Sequence, residues 1–401
     1  MLIQTLIATL AVFLGMVLNY FFHFYMTRTL TPALYGELSV LIAIFNDLII
    51  PAGVIQILLT REIAKLDKNR NQKGIINLIK RYTRNVFLTT LFVSLLVFFS
   101  SYFFARIFND NELVMPIKIL SMGIPFAFLV SIVKAYYQGK EKSNFLSALV
   151  VIDPLLKVCV AIFLISIGFK LLGAVIGLIV SPIILSLLVL PLIMKKCGNS
   201  KYSLKIGKSF AFVLATQIIL MFFFYIDLFF VRYYLGAEQA GYYNAASITS
   251  KVIAYSTGGL SLVLYPKYSK MSAKTDKNRI KRIITKSILF IISVFTVFML
   301  FPRLIISVFY TEKYLVALPA FIALSIGMFL YAVFRIFVDF MWSQKQEFLP
   351  FILSTFALIL DIVLLNYLVP KYGLLGGAMS TVLTSAALLL PALVAIKKMI
   401  F

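Results

Sequence analysis

Lys157, Lys251 and Arg335 each stand inside a long apolar stretch, and Lys134 stands near the end of another. Asp47, Asp153 and Asp361 are similarly placed, and Asp227 lies in a further run. Cations in such surroundings can hold an anion. Arg grips phosphate oxygens through two parallel hydrogen bonds, and Lys acts as a point charge. Carboxylates in apolar surroundings can carry a proton or couple to a cation, so Asp47, Asp153 and Asp361 are candidates for ion coupling. The spacing leaves a structural alternative open. Asp153 and Lys157 are four residues apart, as are Arg335 and Asp339, so each pair can neutralise itself on one helical face. Lys251 has no acid three or four positions away. Lys118, Lys134 and Arg303 lie close enough to a run's end for their stems to carry the charge out to water.

The apolar stretches that hold these groups set the class of the molecule. The chain has 401 residues, of which 62% are apolar and 13% charged. A soluble domain is about 45–50% apolar. Each run reaches about 20 residues, the length needed to cross some 30 Å of hydrocarbon as a helix. The period of two that marks membrane strands is absent. The runs predict spans at 2–26, 36–60, 85–105, 116–137, 144–168, 171–194, 209–233, 242–266, 284–309, 317–341, 348–368 and 372–396. The first lacks a basic leader and is too long for a signal-peptide core, so it reads as a retained span. A charge at mid-bilayer costs ~2.5–3.5 kcal/mol, so the groups above are expected to face protein or water.

The cations outside the spans fall on one side. Counted in alternate loops, 26 Lys/Arg lie with the termini and the central loop, and six lie opposite. Cytoplasmic loops collect Lys and Arg, which predicts both termini in the cytoplasm of a multi-pass cell-membrane (inner-membrane) protein. The net charge of +23 is therefore topological, and no nucleic-acid partner is expected. One His and two distant cysteines, Cys159 and Cys197, make neither a metal site nor a disulfide framework. No phosphate-binding Gly-rich loop with Lys-Ser/Thr is present. The outer loops, such as Thr27–Tyr35 and Tyr234–Gly241, are short. No cofactor, no metal and no catalytic residue are expected, and the chain does not read as an enzyme.

The sequence also repeats. Gly36 and Gly53 recur as Gly241 and Gly258, 205 positions on, and Leu171-Leu172-Gly173-Ala174 recurs as Leu374-Leu375-Gly376-Gly377, 203 positions on. Asn46 falls where Lys251 falls in the second copy. The expected fold is an all-α integral membrane protein with twelve transmembrane helices in two six-helix lobes. The lobes would be residues 1–194 and 209–401, joined by a basic cytoplasmic hinge at 195–208. An even number of spans per copy predicts a pseudo-two-fold along the membrane normal, a transporter arrangement with its site between the halves. Pro51, Pro125, Pro154 and Pro182 lie mid-span, as kinks or bending points. Tyr225, Tyr255 and Tyr331 are candidates to stack on sugar rings if they face inward.

This layout resembles the multidrug/oligosaccharidyl-lipid/polysaccharide exporter superfamily, and within it the polysaccharide transport branch of Wzx-type O-antigen flippases. The likeness is carried by Leu30-Thr31-Pro32-Ala33-Leu34-Tyr35-Gly36, by its echo Leu235-Gly236-Ala237-Glu238-Gln239-Ala240-Gly241-Tyr242-Tyr243-Asn244-Ala245-Ala246, and by Tyr137-Gln138-Gly139-Lys140. The peptidoglycan-precursor flippases of the superfamily usually carry two extra spans, and this chain stops after twelve. Its proton-coupled drug exporters often carry a carboxylate in span one, where this chain has only His23. The resemblance implies a flippase that moves lipid-linked oligosaccharide, a polyprenyl-phosphate or polyprenyl-diphosphate sugar, to the outer leaflet by alternating access. Membrane lipids, and possible other polysaccharide assembly proteins, are the implied partners.

Under that implication Lys157, Lys251 and Arg335, with Lys134, line a cationic central cavity and bind the phosphate that joins lipid to sugar. An ion-coupled small-molecule or multidrug exporter of the same superfamily is the alternative. A membrane glycosyltransferase is the rival from another class, and the absence of a large loop speaks against it.

Overall fold

The computed structural model describes residues 2–195, 208–268, 271 and 276–400. Among them every regular element is helical. The first unit contains α1 (Leu2–Thr29), α2 (Pro32–Lys68), α3 (Gln72–Phe99), α4 (Ser101–Ile107), α5 (Val114–Gly139), α6 (Ser143–Ser166) and α7 (Lys170–Met194). The second contains α8 (Lys208–Phe223), α9 (Ile226–Leu235), α10 (Ala237–Tyr268), α11 (Lys277–Leu300), α12 (Pro302–Phe309), α13 (Leu318–Ser343) and α14 (Phe348–Ile400). The chain divides into two compact units, Met1–Lys205 and Ile206–Phe401. Residues 196–207 of the expected 195–208 hinge lie outside the described residues.

Helix throughout is what hydrocarbon imposes, because every backbone N–H and C=O must find its partner within the segment. Ten helices among the described residues are long and apolar enough to cross a membrane. This differs from the twelve expected spans in two places. Helix α10 is not in that group as far as its described residues show. The other place is α14, counted once although its 53 residues are enough for two crossings. Gly373, at φ 61° and ψ −137°, breaks its helical run.

Element ends also differ from the hydropathy boundaries. Helix α2 runs to Lys68 and α3 starts at Gln72, well past the apolar stretches. Lys and Glu are good helix formers, and a Glu62–Lys65 ion pair at 2.7 Å supports the extension. Thr31 caps the start of α2 by accepting from the Leu34 amide, with Pro32 at the first helical position. Three expected spans are interrupted, at Ser100, at Phe224–Tyr225 and at Phe301. The prolines named above sit inside unbroken helices.

Each unit is built around one central helix. In the first, α5 packs on α2, α3 and α7, while α6 lies between α7 and α1. In the second, α13 packs on α10, α11 and α14, and α14 also meets α8 and α9. Small residues allow the close crossings, as is usual between membrane helices. A methyl at Gly139 would lie 2.7 Å from Ile63 Cβ, and one at Gly123 2.4 Å from an Ile179 methyl. The second unit's core centres on buried Phe334, Phe337 and Phe340 of α13. Phe13, Phe92 and Phe99 are exposed, as expected of a surface that lipid covers.

The two hairpins α6–α7 and α14 pack alike. A methyl at Gly173 would lie 3.0 Å from Leu164 Cβ. A methyl at Gly376 would lie 2.0 Å from the Leu368 carbonyl oxygen. These are corresponding positions in the sequence repeat.

Candidate functional site

In the first unit the structure brings together Lys134, Asp153 and Lys157. Helix α5 supplies Lys134, and α6 supplies the other two. Lys134 Nζ donates to Asp153 Oδ2 at 2.8 Å, with both side chains about three-quarters covered. The Ser181 hydroxyl of α7 donates to Asp153 Oδ1 at 2.7 Å. The ion pair of Asp153 is thus made across helices, with Lys134, rather than with Lys157 four residues along its own helix. Lys157 turns instead to α1. It donates to Asn19 Oδ1, and its ammonium lies 4.8 Å from the centre of the Phe22 ring.

These groups border a cavity of about 300 Å³, lined also by Asn46, Gly53 and Gln56 of α2 and by Ser131 of α5. Among the described residues, two lysines and one aspartate are the ionisable side chains in its wall, which gives that wall a net positive charge. Such a cavity, with low-dielectric walls, strengthens attraction for an anion relative to water. A second depression, of about 500 Å³, lies at the ends of α2 and α5 beside Lys65, Lys68 and Lys140. Its cations have acids beside them, with Lys140 3.8 Å from Asp67 and Lys65 2.7 Å from Glu62.

In the second unit, Lys251 of α10 is buried at 2% exposure. Its ammonium lies 4.7 Å from the Tyr225 ring centre and 5.7 Å from that of Phe224. Arg335 of α13 donates to Gln217 Oε1 at 3.1 Å, pairs with Asp339 at 3.7 Å and lies 4.8 Å over the Trp342 ring. The four-residue spacing of Arg335 and Asp339 does make an ion pair. Phe224 is stacked on Tyr255 and edge-on to Tyr331, so two of the tyrosines singled out in the sequence form part of one aromatic cluster.

The break before α9 positions Asp227. It accepts from the Leu228 amide and from the Tyr243 hydroxyl, both at 2.8 Å. Asp361, on α14, accepts from Ser380 at 2.5 Å and from Thr384 at 3.1 Å through Oδ1. Its Oδ2 is buried and without a hydrogen-bond partner. Asp47 is half-buried on α2. Among the described residues no group of three or more His, Cys, Asp or Glu is placed to hold a metal ion.

Several contacts escaped the reading of the sequence. Asn19, Ser181 and Gln217 partner the charged groups, and Ser380 and Thr384 hold Asp361. Each is an uncharged polar residue within an apolar run, and that was the available signal.

A model of the family described as polysaccharide biosynthesis protein matches residues 25–319 of this chain. A protein of Shigella flexneri described as an O-antigen transporter is 23% identical over 383 residues, covering 89% of this chain and 88% of its own. Among solved structures, an inward-facing multidrug resistance MATE family transporter of the MOP superfamily aligns with a TM-score of 0.75 at 14% identity, covering 96% of this chain and 95% of that one. The lipid II flippase MurJ, in an inward closed conformation, aligns with a TM-score of 0.74 at 18% identity, covering 99% and 88%. Both likenesses establish a shared helical fold.

Proposed function

The chain belongs to the polysaccharide biosynthesis protein family, and we propose that it is a flippase for lipid-linked oligosaccharide. It moves a polyprenyl-phosphate or polyprenyl-diphosphate sugar from the cytoplasmic to the outer leaflet of the cell membrane by alternating access. The reading carries twelve crossings, with both termini cytoplasmic, supported by the 26-to-6 division of Lys and Arg between alternate loops.

The observation that carries the proposal is the cavity bordered by Lys134 and Lys157. Hydrocarbon accepts the polyprenyl tail, so the phosphate and the sugar are what need shelter. The two ammonium groups receive the phosphate oxygens. Asp153, held by Ser181, keeps Lys134 neutralised and in place until the anion arrives. Asp361, with one carboxylate oxygen unpartnered, is the group that takes up a coupling proton or cation.

The test is reconstitution of the full chain in liposomes with a fluorescent polyprenyl-diphosphate-linked glycan. Passage of the label to the opposite leaflet is expected, dependent on the protein and slowed by Lys157→Met. Retention of the glycan together with export of a small organic cation would replace this reading with that of a multidrug exporter.

A further inference from the structure

The depression at the ends of α2 and α5, about 500 Å³ in volume, has Lys65, Asp67 and Lys68 on one side and Gly139, Lys140 and Glu141 on the other. Most of its charges have partners. Lys65 holds Glu62 at 2.7 Å. Lys140 donates to Gln72 Oε1 at 2.7 Å, and Gln72 donates in turn to Asp67 Oδ1 at 2.8 Å. Lys68, at the end of α2, and Glu141, in the turn after α5, are the exceptions. Both are exposed, and among the described residues neither takes part in an ion pair. We propose that Lys68 and Glu141 clasp the headgroup of a zwitterionic phospholipid of the phosphoethanolamine class, Lys68 on its phosphate and Glu141 on its primary ammonium. The inference needs the chain to cross a membrane, but it does not need the flippase reading.

Two features carry it. The first is the pattern of charge. A cation and an acid face one hollow from different elements and do not pair across it. Such an arrangement fits an occupant that itself carries both signs. A carboxylate accepts hydrogen bonds from a primary ammonium, and a lysine attracts phosphate oxygens as a point charge. A quaternary ammonium has no N–H to give. A headgroup with phosphate and no cation sets its charge against Glu141, and so does the polyprenyl-phosphate carrier.

The second feature is depth. Ala64, in the same wall, stands four residues past the apolar run 36–60, and Gly139 stands two past the run 116–137. At about 1.5 Å per residue these are about 6 Å and about 3 Å along a helix. Headgroups occupy roughly 5–7 Å on each side of the hydrocarbon, so the hollow opens at their level. Its walls are also set before a lipid arrives. A methyl at Gly139 would lie 2.7 Å from Ile63 Cβ, so α5 meets α2 closely there. A preformed site gives up little freedom on binding.

The experiment measures lipid retention by the full-length protein in detergent, without any transport. Phosphatidylethanolamine, phosphatidylcholine and phosphatidylglycerol with matched acyl chains are offered in equal amounts, and bound lipid is counted by native mass spectrometry. The unaltered protein should retain the ethanolamine lipid about three- to tenfold over the other two, the range of one partly exposed charged contact. Glu141→Gln should bring the three close to equal. Lys68→Gln, which acts on the phosphate they share, should weaken all three. Both side chains are exposed, so both variants should unfold near the temperature of the unaltered protein. Equal retention of the three lipids by the unaltered protein, or a preference that Glu141→Gln does not move, would overturn the site. Either result leaves the flippase reading standing, because transbilayer movement of a glycan carrier is not what is measured.

Discussion

Asp153 and Asp361 are each held by a serine of the helix that follows, Ser181 donating at 2.7 Å and Ser380 at 2.5 Å. The helices that hold them, α6 and the first arm of α14, lie against a following helix at corresponding positions. A methyl at Gly177 would lie 2.9 Å from the Lys157 carbonyl oxygen. Ser380, at the matching position, directs its hydroxyl to the Asp361 carbonyl oxygen at 3.4 Å. In the first unit that acid, Asp153, is paired with Lys134, while the Oδ2 atom of Asp361 is without a hydrogen-bond partner.

The first prediction concerns Lys157. Lys157→Met removes a charge-assisted contact and should slow transport of a phosphate-bearing carrier about 10- to 100-fold, while Lys157→Arg retains more. Transbilayer rates in liposomes check it. An unchanged rate for Lys157→Met would remove this lysine from the substrate path.

The acid gives the second. Asp361→Asn keeps the hydrogen bonds that Ser380 and Thr384 can make and abolishes the charge. Transport driven by an ion gradient should be lost, while slow equilibration of the carrier without a gradient continues. Loss of both would make Asp361 a structural residue.

The cross-helix pair supplies the third. Lys134→Met strands the Asp153 carboxylate, which is about 29% exposed, and should destabilise the protein by roughly 1–3 kcal/mol, below the figure for a fully buried pair. The double variant with Asp153→Asn should recover much of that. Thermal unfolding in detergent reads both, and additive losses would show that the pair does not couple.

A fourth concerns the hairpin within α14. Gly376→Ala would set a methyl 2.0 Å from the Leu368 carbonyl oxygen, so the two arms must separate. The variant should lose well over 2 kcal/mol or fail to yield folded protein, whereas Gly173→Ala, with its nearest atom at 3.0 Å, should fold with a smaller loss. Equal stability of the two would contradict the packing described.

Much of this was legible in the sequence, for physical reasons. Apolar runs become helices because lipid leaves the backbone no other partner, so helices stand at all the predicted spans. Hydropathy marks where hydrocarbon ends rather than where the helix ends, which is why α2 runs on to Lys68. The interruption at Phe224–Tyr225 has no proline to signal it. Spacing along one helix revealed the Arg335–Asp339 pair, but it pointed to Lys157 as the partner of Asp153. The actual partner, Lys134, comes from another helix, and no local pattern encodes that. The same holds for Asn19, whose contact with Lys157 spans 138 positions.

Gly376 seated on the Leu368 carbonyl has a mechanical consequence. Backbone so close to backbone resists sliding of one arm of α14 along the other, so the two arms move together beside their turn at Gly373.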